Sequence, residues 1–342
     1  MDAILIVGGG LLQVPLVREA QALGFLPFVT DGDPHAPACT LPGVQSFLLD
    51  TYDMQGHEKL IRDLLRMYAV RGVVCCGNDV APTVAAAAQV AGVPGISRVT
   101  ALSTHNKYIV RETLRDAGLQ HYQPEWRLGS GIMDPPRYPA QPFVIKPLEQ
   151  RASRGVTIVQ SGSQMRLACE RAAQYGPTYL IEQYLIGTEH SAEMIFGTDG
   201  APLWCNIVDR FFCYDDGLAI ETGHVNPSQL VSDRQDEIFV MLGEAAQALG
   251  VTWGPFKVDL MVTDDGPKIL EVTARLSGGW DSQGTSPLTG CHPMRTLLQL
   301  ACGLPAQTFP DAQGYAACAA IFPPHRGRLV ALPVGIDVNP HR

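Results

Sequence analysis

The stretch Lys257-Val-Asp-Leu-Met-Val-Thr-Asp-Asp-Gly-Pro-Lys-Ile-Leu-Glu-Val-Thr-Ala-Arg275 reads as two strands around a turn at Asp264-Asp-Gly266. With a three-residue loop and Gly266 in the left-handed position, Thr263 faces Pro267 and the pairing carried back sets Asp259 opposite Glu271. Cross-strand partners have Cβ atoms roughly 4.5–5.5 Å apart. Side chains alternate along a strand, so Thr273 and Arg275 share the face of Glu271. Facing carboxylates repel, and a cation between them relieves the repulsion; hard oxygen ligands suit Mg²⁺, which also binds phosphate oxygens. The competing reading is a solvated hairpin face with unrelated acids, and the residues alone leave the two readings equal. A two-residue turn would put the carboxylates on opposite faces.

Downstream, Arg275-Leu-Ser-Gly-Gly-Trp-Asp-Ser-Gln-Gly284 follows the strand directly. Gly278 and Gly279, with Ser277 before them, allow close backbone approach to an anion. Asp281 could bind a substrate ammonium, or belong to an ordinary loop. Upstream, Phe143-Val-Ile-Lys-Pro147 ends an apolar strand with a lysine able to clamp phosphates, although an edge-strand lysine is the commoner case. A loop from Glu149 to Gly155 leads to a strand at Val156–Val159. Leu180-Ile-Glu-Gln-Tyr-Leu-Ile-Gly-Thr-Glu189 is a strand that breaks at Gly187, suited to adenine and ribose or to a plain turn. Glu221-Thr-Gly-His-Val-Asn-Pro-Ser228 offers His224 as a substrate contact, with a loop histidine as the equal alternative.

The first hundred residues alternate strand and helix. Ile4–Val7 ends at Gly8-Gly-Gly10, and Leu12, Leu16, Ala20 and Leu23 recur at helical spacing. Strands at Phe25–Val29, Val44–Leu49 and Gly72–Cys76 alternate with helices at 55–69 and 79–91, which implies parallel strands with crossover helices. A helix over 104–117 and a Pro-rich connection, Asp134 to Pro142, follow. Beyond it strands dominate, at Tyr179–Tyr184, Ser191–Phe196 and Leu203–Val208, with a helix at 163–175, so an antiparallel α+β unit is expected. A helix from Ser232, with Gln235 three residues on as a capping box, runs to Gly250.

At 342 residues, about two or three packed units are expected. A hydrophobic share of 46% with 17% charged residues supports a sizeable core and argues against disorder. The net charge of -9 and the lack of basic runs disfavour nucleic acid as a partner. The nine cysteines include no C-x-x-C pair, which fits a reduced, cytoplasmic protein. No Cys/His cluster suggests zinc, and no run suggests a membrane span or signal segment.

Taken in order, these motifs resemble the ATP-grasp superfamily, specifically the carboxylate–amine ligases related to biotin carboxylase and the carbamoyl-phosphate synthetase large chain. The resemblance runs from about residue 3 to 304 through Gly8-Gly-Gly10, Asp31 to Pro37, Asn106-Lys-Tyr108, Ile145-Lys-Pro147, Glu182-Gln-Tyr-Leu185, Glu189 and Glu271-Val-Thr-Ala-Arg275. It implies an α/β plus α+β chain: a Rossmann-like, pre-ATP-grasp domain at 1–96, then a two-lobed ATP-grasp fold. The small lobe with its connecting helices spans 97–185, and the large lobe with the metal hairpin spans 186–304. A C-terminal segment follows at 305–342, where relatives often continue further.

The resemblance further implies Lys107 and Lys146 as ATP lysines, and Glu182, Gln183, Tyr184 and Leu185 as the adenine hinge. Glu189 would hold the ribose, and Ser153, Arg154 and Gly155 the phosphates. Asp259, Glu271 and Thr273 would be Mg²⁺ ligands, Mn²⁺ being able to substitute. Arg275, with Lys146, would be catalytic, stabilising the acyl-phosphate or the tetrahedral intermediate. His224, Ser277, Gly278, Gly279 and Asp281 would line the substrate site. Thr273 stands where the family usually has Asn, and Arg151 and Arg154 where small residues are common. The implied activity joins a small-molecule carboxylate to an amine at the expense of ATP, and a homodimer is an assembly open to the chain. The alternatives are a carboxyphosphate-type ligase using bicarbonate, a nicotinamide-dependent oxidoreductase built on Gly8-Gly-Gly10, disfavoured because Gln13 replaces the third spaced glycine, and a non-catalytic ATP-binding module.

Overall fold

The structure, a computed structural model, describes residues 1–131, 142–150, 153–215, 218–306, 311–320 and 322. Most of the Pro-rich connection, Arg151 and the segment 327–336 lie outside the described residues.

Strands β1 (Asp2–Val7), β2 (Leu26–Asp31), β3 (Gln45–Leu48) and β4 (Ala69–Val74) form a parallel sheet in the order β3-β2-β1-β4. Helices α1 (Val14–Ala22), α2 (Met54–Leu64) and α3 (Ala81–Ala91) alternate with them. The helix expected over 55–69 stops at Leu64, because β4 already begins at Ala69. One sheet face packs Leu5, Phe28 and Val73 against Ile61, Leu64 and Ala88. The other packs Ile4, Ile6 and Val74 against Leu16 and Ala20, and against Leu297, Leu298 and Ala301 of a helix near the far end of the chain, Pro293–Ala301. Gly72 permits that approach, since a Cβ there would sit 3.1 Å from the Ala301 carbonyl oxygen.

The helix expected over 104–117 is two helices, α4 (Arg98–His105) and α5 (Lys107–Asp116). Asn106 separates them: its backbone is extended, and its side-chain oxygen accepts from the N–H groups of Tyr108 (3.0 Å) and Ile109 (3.2 Å). That cap satisfies donors a helix start otherwise leaves open.

Two antiparallel sheets follow. β5 (Trp126–Ser130), β6 (Phe143–Pro147), β7 (Thr157–Val159) and β8 (Thr178–Gln183) pair in the order β5-β8-β6-β7, backed by α6 (Gly162–Ala173). The larger sheet comprises β9 (Thr188–Phe196), β10 (Pro202–Asp215), β11 (Leu218–Asn226), β12 (Gly254–Thr263), β13 (Gly266–Thr273) and, after the helical elements, a last strand at Ala316–Ala319. Its order is β13-β12-β9-β10-β11 followed by that last strand. Helix α7 (Ser232–Ala248) buries Ile238, Met241, Leu242 and Ala245 against Met194, Phe256 and Val258. The capping box expected at Ser232 is absent: Val231 is the cap residue, and Gln235 instead donates to the Leu230 carbonyl at 2.6 Å. After β13, a π-helical turn at Asp281–Thr285 runs into α8 (Ser286–Leu288), α9 (Pro293–Ala301) and β14 (Ala316–Ala319).

The β12–β13 hairpin corrects the expected turn and keeps its consequence. Thr263 pairs with Gly266 and Val262 with Pro267, so the loop is the two residues Asp264 and Asp265. That register alone would separate the carboxylates. The ladder then slips by one residue between Asp259 and Leu260, leaving Leu270 bulged, and Asp259 returns to face Glu271. Lys257 pairs with Thr273 on the same face. The bulge also frees the Leu270 carbonyl, which accepts from Arg111 Nη2 and Lys146 Nζ, each at 3.0 Å.

β9 must run close to β12 for this face to form. A Cβ on Gly187 would lie 2.1 Å from the Val262 carbonyl oxygen, a backbone atom that cannot turn away. Gly187→Ala is therefore expected to lose about 1–3 kcal/mol in denaturant unfolding through overpacking. Unchanged stability would show that the strands are not held so close.

Candidate active site

One face of the large sheet carries a continuous polar floor. Register places Glu271 and Thr273 on β13 beside Lys257 and Asp259 on β12, then Ser191 and Glu193 on β9, Asn206 on β10 and His224 on β11. The small sheet and α5 supply the two lysines expected to bind ATP. Lys146, at the end of β6, reaches Glu182 Oε2 at 2.6 Å. Lys107, opening α5, reaches Glu271 Oε1 at 3.4 Å and donates to the Gln150 carbonyl. The two expected ATP lysines thus converge on the β12–β13 hairpin.

Glu182 does more than its hinge position implied. Its buried side chain accepts from Arg111 Nε at 2.8 Å as well as from Lys146. Burial by itself raises a carboxyl pKa, but here Arg111 and Lys146 outweigh it and hold Glu182 below the ordinary range. At the rest of the hinge, the N–H of Gln183 donates to Glu125 O at 2.8 Å and that of Tyr184 to Pro142 O at 3.4 Å, while Leu185 is buried. In the loop expected over phosphates, Ser153 and Gly155 have φ of 58° and 74° and Arg154 is exposed. Asn106 Nδ2 donates to Glu149 at 2.9 Å, tying that loop to the start of α5.

Asp259 is held by Lys257 Nζ at 2.7 Å and by Arg210 Nη1 at 3.1 Å. Burial alone would raise its pKa, yet Lys257 and Arg210 keep it at about 2. Thr273 Oγ1 is buried with no hydrogen-bond partner, beside Glu271 and Asp259. Two facing carboxylates and a spare hydroxyl are hard oxygen donors that fit Mg²⁺, which takes one or two carboxylates and completes its shell with phosphates and water. Among the described residues no group of three or more His, Cys, Asp or Glu is placed to hold a metal ion.

Arg210 lies at the centre of the floor. It meets Glu189 Oε1 at 2.8 Å, Glu221 Oε2 at 2.6 Å and Asp259, with its guanidinium carbon 4.8 Å from the Phe212 ring centroid. Burial, opposed by Arg210, pushes Glu189 up to about 7. Arg275 donates from Nε to Asp79 at 2.8 Å and from Nη1 to the Leu276 carbonyl at 2.9 Å. The parallel bridge Cys76–Leu276 and the close approach of Gly77 and Gly278 extend this junction with the N-terminal sheet; a Cβ on Gly278 would sit 3.1 Å from Gly77 O.

The expected substrate residues assemble beyond Arg275. Ser277 Oγ donates to Asp281 Oδ2 at 2.6 Å, Gly279 N to Ser277 Oγ at 3.3 Å, and His224 Nε2 lies 3.3 Å from Asp281 Oδ1. The π-helical turn at Asp281–Thr285 follows Trp280, a non-glycine residue at φ +71°. Such a left-handed bulky residue stores strain that the surrounding contacts must hold. Glu193 supplies one: it accepts from Ser277 N at 2.6 Å and Ser282 Oγ at 2.8 Å. Glu193 is buried, and desolvation with the Asp281 charge pushes its pKa up to about 7.

Sequence reasoning missed Arg111, Arg210, Lys257, Glu193, Glu221 and Asp79. Two carried a usable signal: Arg111 lies one helical turn after Lys107, and Glu193 shares a strand face with Glu189 by the period of two. Arg210, Glu221 and Asp79 reach the site through long-range pairing that no local pattern shows.

With this geometry in view, comparisons with known proteins show what the chain is similar to. Residues 139–283 match the ATP-grasp domain, and the chain carries an ATP-grasp domain. The D-alanine–D-alanine ligase of Aromatoleum aromaticum is 29% identical over 134 residues, 38% of this chain and 43% of that protein. That of Geotalea uraniireducens is 31% identical over 135 residues, with the same coverage of 38% and 43%. The match thus spans less than half the length of these curated relatives. Among solved structures, an L-amino acid ligase from Bacillus licheniformis superposes with a TM-score of 0.73 at 22% identity, covering 88% of this chain and 74% of that one. The N5-carboxyaminoimidazole ribonucleotide synthetase from Thermotoga maritima gives 0.70 at 19%, covering 93% and 80%. These structural likenesses establish the fold, a parallel N-terminal sheet followed by the antiparallel sheets of ATP-grasp. Among the described residues no helix is long and apolar enough to cross a membrane.

Two substitutions test the site's electrostatics. Arg111→Leu leaves Glu182 with one buried partner and is expected to destabilise the chain by about 3–5 kcal/mol, measured by denaturant unfolding. Glu193→Gln tests the raised carboxyl. Below about pH 4.5 the group is protonated folded or unfolded; between about 4.5 and 7 the unfolded chain ionises first, so stability falls as pH rises. The wild-type Tm should therefore drop more between pH 5 and pH 8 than that of Glu193→Gln. Equal drops would show that Glu193 is not held protonated.

Proposed function

We propose that this protein is an ATP- and Mg²⁺-dependent ligase that activates a small-molecule carboxylate as an acyl-phosphate and joins it to an amine. The observation that carries this reading is the facing pair Asp259 and Glu271, with the lysines Lys107 and Lys146 on one side and Arg275 on the other. That order of charges follows the path of a phosphoryl group from nucleotide to acceptor. We further propose units at 1–96, 97–185, 186–304 and 305–342; the three sheets support the first three, while the strand Ala316–Ala319 of the last pairs with β11 in the large sheet.

Lys146, and Lys107 opening α5, would hold the phosphate chain, with Ser153, Arg154 and Gly155 closing over it. Glu182 would fix Lys146, and Glu189 would take the ribose. Mg²⁺ held by Asp259, Glu271 and Thr273 would neutralise charge on the phosphate oxygens. A carboxylate oxygen of the substrate attacks the γ-phosphorus and ADP leaves. The amine nitrogen then attacks the carbonyl carbon, loses a proton, and inorganic phosphate departs. Neither step asks the protein for covalent help; alignment and charge neutralisation supply the rate. Arg275, fixed by Asp79, would stabilise the oxyanion.

An amino acid is the carboxylate substrate we favour. The acids beyond Arg275, namely Glu221 and Asp281 with His224 between them, suit an ammonium group. The likeness to D-alanine–D-alanine ligases and to an L-amino acid ligase supports the same class.

The test is ADP and phosphate release with Mg²⁺ across pairs of amino acids and simple carboxylic acids, with and without bicarbonate. Release that needs a carboxylate and an amine is expected, and Arg275→Ala should lower kcat about 10²–10³-fold by removing the oxyanion contact. Release driven by bicarbonate instead would move the chain to carboxyphosphate chemistry, and none over a broad panel would overturn the ligase reading.

A further inference from the structure

Asp259 already has two cations on one oxygen. Lys257 Nζ lies 2.7 Å and Arg210 Nη1 3.1 Å from Asp259 Oδ1. Glu271 has Lys107 at 3.4 Å. The side chains are largely buried, Arg210 at 16% and Asp259 at 20% exposure, so water screens these pairs little. Arg210 is held further by Glu189 and Glu221, and by the Phe212 ring.

These contacts have a consequence for metal binding. Both cations sit on Asp259 Oδ1, so a divalent ion taking up Oδ2 comes within a few ångströms of two positive charges unless Lys257 and Arg210 move away. In a site walled by protein, a displaced cation close to a dication costs much more than in water. Nucleotide changes the balance, because its phosphate oxygens can receive the guanidinium and the ammonium that Asp259 releases.

We propose that Arg210 and Lys257 are resident counter-cations of the metal site, which hold Asp259 until nucleotide phosphates arrive and so make metal and nucleotide enter together. Arg210 is the more informative of the two. It also holds Glu221, 3.9 Å from His224 on the substrate side. Moving Arg210 onto phosphate frees Glu221 to meet a substrate ammonium. A single guanidinium thereby links the nucleotide, metal and substrate regions, and any such linkage is reciprocal. The proposal rests on the reading of Asp259 and Glu271 as metal ligands.

The test is the binding of Mn²⁺ to the full chain without nucleotide, followed by the electron paramagnetic resonance of the free ion and by calorimetry. Wild-type protein should bind Mn²⁺ weakly. Arg210→Gln should bind it about tenfold more tightly or better, since a unit charge near a dication is removed from a poorly screened site. Lys257→Gln should shift affinity in the same direction and serves if Arg210→Gln does not fold, with thermal unfolding as the check. Combining either change with Asp259→Asn should abolish the gain. Unchanged or weaker Mn²⁺ binding by both single variants would overturn the proposal, as would a gain that persists with Asp259→Asn. A non-hydrolysable ATP analogue separates the two readings. A chain that binds no analogue with Mn²⁺ fails as an ATP-dependent ligase, whereas the nucleotide-free gain stands or falls on its own.

Discussion

Asp259 and Glu271 face each other across two paired strands, and the structure around them is arranged to tolerate that repulsion. Lys257 and Arg210 hold one carboxylate, and Lys107 approaches the other. These cations arrive from three elements: β12 itself, β10, and the first turn of α5. Lys257 reaches Asp259 from two residues away on one strand, whereas Arg210 and Lys107 must be brought to their acids from elements distant in sequence. The antiparallel sheet supplies that precision, because its register fixes which side chains share a face.

The bulge at Leu270 performs two tasks in one step. It restores the apposition that a two-residue turn would have lost, and it turns a carbonyl oxygen toward Lys146 and Arg111. The small sheet, α5 and the large sheet meet at that oxygen. Glu182 reinforces the meeting by binding both cations inside the core. A buried group of this kind adds little net stability but strongly penalises any arrangement that breaks it. It therefore specifies how Lys146 and Arg111 sit relative to Asp259 and Glu271.

On the opposite side, the N-terminal sheet is docked rather than tethered. Gly77 and Gly278 bring two backbones together, Asp79 binds Arg275, and α9 covers the sheet face that α1 leaves open. The loop from Ser277 to Asp281 is consequently shaped by the N-terminal sheet and the large sheet together. Glu193 fastens the strained Trp280 turn from below, through Ser277 and Ser282. A carboxylate buried for that purpose keeps its proton to about pH 7.

Much of this was legible in the order of residues. The strand–helix alternation of the first ninety residues gave the parallel sheet, since hydrophobic period and glycine stops are local properties. The lysines at 107 and 146, the acids at 259 and 271 and the arginine at 275 stood out because each ends or lines a strand or opens a helix. What the chain alone could not decide was how these pieces meet. The hairpin turn was expected to be one residue longer, and only the bulge, formed where Leu270 meets two distant cations, made the expected pairing true. The same holds for Arg210, Glu221 and Asp79, which carry no local mark and acquire their partners across strands or between units. Composition, period and turn chemistry act over a few neighbouring residues, so sequence by itself determined the elements and the kinds of side chain available. Register, burial and charge pairing act between residues far apart in the chain, 196 positions in Arg275 with Asp79 and 276 in Arg295 with Glu19, and only the tertiary structure decided them.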